Sequence, residues 1–207
     1  MRTSWLVELL VVAAASPLAN AYITGITCAA DGDGAITCSS TWAWTNAEKT
    51  EADLNITETM YRTPGHILGD VATNDELDPT VWVLKTVENA TDFTWTDYHF
   101  NIFMDKTFNV LAVVAPLGWT YNITPASGPG SFTDSEIPIP RTWSYWGAVD
   151  YYSSGPAYDI APSGSGDFGV RLSFAGAVQF EVEQIATPEP ASMALLALGG
   201  LFLRRRK

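Results

Sequence analysis

Apolar and polar residues alternate along this chain in short runs, most plainly near its end, where Val178, Phe180 and Val182 fall on one side and Gln179, Glu181 and Glu183 on the other. Period two is the signature of a strand with one buried and one wet face. The same pattern, rich in Val, Ile, Thr and aromatics, predicts strands at 23–28, 35–44, 54–61, 81–88, 93–104, 107–115, 119–123, 142–151, 170–174 and 178–182. Turn chemistry separates them: Pro64-Gly65, Asp78-Pro79, a hairpin tip at Asp105-Lys106, and Gly176 between the last two strands. Over 22–186 helical periodicity is nearly absent, and no internal repeat is visible. The fold predicted is all-β, an antiparallel β-sandwich of jelly-roll type, with long surface loops at 125–140 and 153–167.

The chain has 207 residues, 47% hydrophobic and 16% charged, with 8 Trp, 8 Tyr and 9 Phe. That is enough to bury one core and unlike a disordered composition. A net charge of -12 argues against nucleic acid as a partner, since phosphate binding needs cations.

Both ends depart from the alternating pattern. Arg2 precedes an apolar run over 5–15 interrupted only by Glu8, then Pro17 and the small-x-small sequence Ala19-Asn20-Ala21. This predicts a signal peptide over 1–21, with cleavage by signal peptidase recognising Ala19 and Ala21 and a mature start at Tyr22. The other reading is a buried first helix, which Glu8 suits. At the C-terminus, Pro188-Glu189-Pro190 leads into apolar residues 191–203 and then Arg204-Arg205-Arg206-Lys207. As a helix that stretch reaches only about 20 Å, short of a hydrocarbon core of about 30 Å, so it is a marginal transmembrane anchor. The terminal cations would stay cytoplasmic, leaving everything before Pro188 across the membrane. Three segments follow: 1–21 signal peptide, 22–186 β-sandwich, and 187–207 sorting segment.

Pro188-Glu189-Pro190, the apolar run and the basic cluster together resemble a PEP-CTERM sorting signal, over about the last twenty residues. The resemblance implies a bacterial envelope protein exported by the general secretory route and then handled by exosortase, an integral-membrane cysteine transpeptidase. It further implies association with biofilm and exopolysaccharide. The signal is an address and leaves the cargo's role open. Residues 89–103, with Phe93 and Thr94-Trp95-Thr96-Asp97-Tyr98-His99-Phe100, also resemble a strand common in β-sandwich cargoes of this sorting class.

Chemistry-bearing residues are few. Cys28 and Cys38 stand in matching Ile-Thr-Cys triplets flanking 29–35, which reads as a hairpin, and an even count in an exported chain favours a disulfide over two free thiols or a metal pair, the last needing more soft ligands than the chain offers. Asp31-Gly32-Asp33-Gly34 alternates carboxylates as Ca²⁺ prefers, so Asp31 and Asp33 are metal candidates. The same four residues suit a turn built on Asp-Gly, and Trp42 stands where an EF-hand needs its twelfth, acidic ligand. His66, read as part of a turn, and His99, within a strand, have no nucleophile or metalloprotease motif beside them. Asn55-Ile56-Thr57, Asn89-Ala90-Thr91 and Asn122-Ile123-Thr124 match glycosylation sequons, which in a bacterial chain mark polar strand edges. Trp143, Trp146 and Tyr152 lie in an aromatic-rich stretch and are candidates for stacking on a neutral sugar; the other reading is structural packing, since alternation puts Trp143 and Trp146 on opposite strand faces, so that one set belongs to the core. The expectation is a structural or matrix-associated protein of the cell envelope, cell surface or extracellular matrix, without catalysis or cofactor. Its partners are signal peptidase and exosortase during processing, the membrane through the C-terminal segment before processing, and polysaccharide. The alternatives are a carbohydrate-binding module and, third, an envelope glycoside hydrolase using two facing carboxylates.

Overall fold

A computed structural model describes residues 22–74, 78–132 and 141–188. The signal peptide with Ala19 and Ala21, and Glu189, Pro190, the expected transmembrane helix and the basic tail, lie outside the described residues. Among the described residues no helix is long and apolar enough to cross a membrane.

The strands are β1 (Ile23–Ala30), β2 (Ile36–Trp44), β3 (Glu51–Met60), β4 (Gly65–Thr73), β5 (Thr80–Asn89), β6 (Trp95–Met104), β7 (Phe108–Val114), β8 (Trp119–Ser127), β9 (Gly130–Phe132), β10 (Arg141–Trp143), β11 (Tyr145–Ser153), β12 (Ser165–Phe174) and β13 (Val178–Pro188). They form two facing sheets, one ordered β1-β4-β13-β6-β11-β8 and the other β2-β3-β5-β12-β7, with β9 and β10 as a separate ribbon. The alternation read from the sequence is what builds them: Leu54, Ile56, Val81, Val83, Phe100, Ile102, Leu172, Phe180 and Val182 all point inward and are buried. One end of the core is aromatic, with Tyr98 stacked on Phe168 at 4.3 Å and Tyr151 edge-on to Phe168 at 5.0 Å.

The all-β sandwich is as expected; the pairing differs. β1 and β2 do not form a hairpin, because β1 pairs with β4 in the first sheet and β2 with β3 in the second. Gly32 and Gly34, at φ +90° and +82°, carry the connection across the sandwich rather than back along β1. β6 and β7 likewise lie in opposite sheets, so Asp105-Lys106 is a crossing between layers, and so is the turn at Gly176 between β12 and β13. β3 and β5 pair in parallel, which makes the second sheet mixed. β4 lies where the sequence predicts the Pro64-Gly65 turn and no strand, and His66 stands within it, buried. Its Gly65 and Gly69 dilute the strand signal, yet both are needed: a Cβ on Gly69 would lie 2.4 Å from the Thr27 carbonyl oxygen. β12 begins at Ser165 and β8 continues to Ser127, so both expected long loops are shorter than the sequence suggested.

Candidate functional site

The terminal strand positions the end of the chain. β13 is an interior strand, paired with β4 from Val178↔Val71 to Gln184↔Gly65 and with β6 from Phe180↔Met104 to Pro188↔Trp95. Side chains reinforce its last turn of register: Ala186 N–H donates to Thr63 Oγ1 at 3.1 Å, and Thr187 Oγ1 donates to Asp97 Oδ2 at 3.1 Å. Pro188 has no N–H to donate, and the register shifts between Thr187 and Pro188. Folded sheet and Pro-Glu-Pro segment therefore meet without a spacer.

Residues 186–207 match the PEP-CTERM protein-sorting motif. The chain carries a PEP-CTERM sorting signal. The motif marks it as an exported, envelope-associated protein that exosortase processes. No curated protein matches the chain. The PEP-CTERM motif begins inside β13, at Ala186, which is buried against the core.

The candidate aromatics occupy the outer face of the first sheet, but not as one platform. Trp143, on β10, is half-buried and donates its indole N–H to Glu181 Oε2 at 3.1 Å. Trp146 packs beneath the ribbon, where a Cβ on Gly130 would lie 2.3 Å from its own Cβ. Tyr152 stands six residues further along β11, about 20 Å away at 3.3 Å per residue, and meets His99 edge-on at 6.2 Å. A shallow cleft of about 360 Å³ adjoins Trp143, lined by Asp105, Thr142, Ser144 and Gln179.

Under the ribbon, His66 Nδ1 faces Glu181 Oε1 at 3.5 Å, both side chains all but excluded from solvent. His99 Nδ1 lies 2.8 Å from Asp150 Oδ1 on the same outer face and is partly exposed. Asp31 and Asp33 serve the crossing loop: Asp31 Oδ1 accepts from Asp33 N–H at 3.1 Å, and Asp33 Oδ1 from Ala35 N–H at 2.7 Å. Arg62 also donates to the Asp33 carbonyl at 2.6 Å. Among the described residues no three His, Cys, Asp or Glu side chains converge as a metal site would require.

Cys28 on β1 and Cys38 on β2 project from opposite sheets toward the interior, as free thiols. Burial, and next the charge of Cys38, push the Cys28 thiol up to about 12. Burial also raises Cys38.

The most concentrated chemistry lies inside the sandwich, beside these thiols. Glu58, Lys85, Tyr98 and Gln184, from β3, β5, β6 and β13, are 1%, 2%, 0% and 0% exposed. Lys85 Nζ pairs with Glu58 Oε2 at 2.8 Å and donates to Tyr98 OH at 3.2 Å. Both Lys85 Nζ and Tyr98 OH donate to the side-chain oxygen of Gln184. Among the described residues, Glu58 Oε1 and Gln184 Nε2 are buried without a hydrogen-bond partner. Burial holds the Lys85 ammonium below the usual lysine range, opposed by the Glu58 charge. Burial lifts the Tyr98 phenol well above its usual value, so it remains a donor. The sequence reading passed over this cluster, although the signal was present: Glu58, Lys85 and Gln184 each fall in phase with the inward-facing apolar residues of their strands.

Proposed function

We propose that this protein is a non-catalytic structural component of the bacterial cell surface or exopolysaccharide matrix. The observation that carries the reading is the run of β13 from the middle of a six-stranded sheet directly into the sorting motif. A tether on an interior strand loads two hydrogen-bonded ladders together, and opening it means disrupting the core; a terminal edge strand would peel away. Such anchoring suits a scaffold. Catalysis has less support: His66 and His99 each face a carboxylate, Glu181 and Asp150.

Polysaccharide is the partner this reading favours, through the cleft beside Trp143, whose half-buried ring is fixed by Glu181. Fractionation of cells expressing the full chain tests the function. The wild-type protein should travel with surface or matrix material and leave glycans intact. A chain with Glu189→Ala and Pro190→Ala should remain in the inner membrane. Glycan turnover by the wild-type protein, or identical fractionation of both chains, would contradict the reading.

A further inference from the structure

We propose that Lys85 and Gln184 join in an intramolecular isopeptide bond that fastens β5 of one sheet to β13 of the other. Four features of the buried cluster support a reaction over a static network. The amine that would attack is already hydrogen-bonded to the carboxamide oxygen, one C=O bond from the carbon it must reach. A carboxylate stands 2.8 Å from that amine, placed to take its proton. A phenol held in its protonated form donates to the same carboxamide oxygen, where negative charge develops on attack. The nitrogen that would leave, Gln184 Nε2, has no hydrogen-bond partner among the described residues.

The step balances without oxidant or reductant. Glu58 accepts one proton from the Lys85 ammonium, and the neutral Nζ adds to Gln184 Cδ, giving a tetrahedral carbon whose oxyanion Tyr98 stabilises. Glu58 then relays a second Nζ proton to Nε2. The Cδ–Nε2 bond breaks and ammonia departs, while the remaining proton stays on Glu58, so that no lone charge is left in the core. A lysyl ammonium, a carboxylate and a primary carboxamide become a secondary amide, a carboxylic acid and ammonia.

The product also resolves two costs of the unreacted cluster. A charged amine in a core is expensive even when paired, and an unpartnered buried amide nitrogen adds its desolvation. Bond formation removes the ammonium charge and the orphaned nitrogen together. Because β13 carries the sorting motif, the bond would tie the tethered strand covalently to the opposite sheet, and it would do so whatever ligand the surface binds.

Digestion of the folded, full-length wild-type protein followed by tandem mass spectrometry tests the proposal. The expected result is a branched peptide joining the segments around Lys85 and Gln184, lighter than their sum by one ammonia, with no tryptic cleavage after Lys85. Glu58→Gln, which keeps the side chain's shape but not its basicity, should give mostly linear peptides, and Lys85→Arg none that are branched. Linear peptides of unmodified mass from the folded wild type would overturn the proposal. Undiminished branching in Glu58→Gln would overturn the proton-shuttle role given to Glu58.

Discussion

Glu58 Oε2 on β3 lies 2.8 Å from Lys85 Nζ on the neighbouring parallel strand β5, and both side chains are closed off from solvent. A pair in this setting is costly to break from one side, because the survivor keeps its charge in the core. Glu58→Ala, in which Lys85 stays a lone ammonium and unbonded to Gln184, should therefore lose at least about 3–5 kcal/mol in denaturant unfolding. Glu58→Leu combined with Lys85→Met should lose less than the single change, since no lone charge remains.

Cys28 and Cys38, free in the structure, face the interior from opposite sheets, close enough for the Cys38 charge to help raise the Cys28 thiol after burial. In the oxidising envelope we expect a disulfide between them, closing a loop of about ten residues and contributing about 2–3 kcal/mol in the chain-entropy view. Non-reducing mass spectrometry of the exported protein should give a mass two hydrogens below that of the reduced form. Complete alkylation without prior reduction would rule the bond out.

Alkaline pH should destabilise the fold. Tyr98 and Tyr151 are raised above the ordinary 10.0, both chiefly by burial. The unfolded chain therefore releases these protons first, and above about pH 10 the native state binds more protons than the unfolded one. Stability contributed by the neutral phenols is present below that pH and lost as pH rises. Thermal unfolding followed from pH 8 to 11 should show a falling Tm beginning near 10; a flat profile would contradict the burial of these rings.

Replacement of the surface aromatics one at a time should separate packing from binding. Trp146→Ala should lower the thermal transition, corresponding to a destabilisation of about 2–4 kcal/mol where the ribbon does not collapse into the gap, because Trp146 underlies Gly130. Tyr152→Ala should be nearly neutral. Trp143→Ala should weaken retention on neutral polysaccharide, read by affinity electrophoresis, while changing stability less than Trp146→Ala does.

Alternation made most strands legible, and the PEP-CTERM signal was readable outright because a linear motif needs no fold to be recognised. Strand pairing was not legible. Residues 31–35 can return a chain along its own sheet or carry it to the facing one, and only the partners available to β1 and β2 decide between them. Missing β4 concealed β1's partner, since Gly65 and Gly69 carry no side chains to mark a strand. The buried cluster was half legible: the phase of Glu58, Lys85 and Gln184 pointed inward, but their convergence depends on a parallel β3–β5 pair and on β13 facing β5 across the core.

Export followed by trimming at the C-terminal signal is decided by the intact mass of the protein isolated from its native envelope. That mass should correspond to a chain that begins at Tyr22 and lacks the basic tail Arg204-Arg205-Arg206-Lys207. The mass of the uncut 207-residue chain would contradict it.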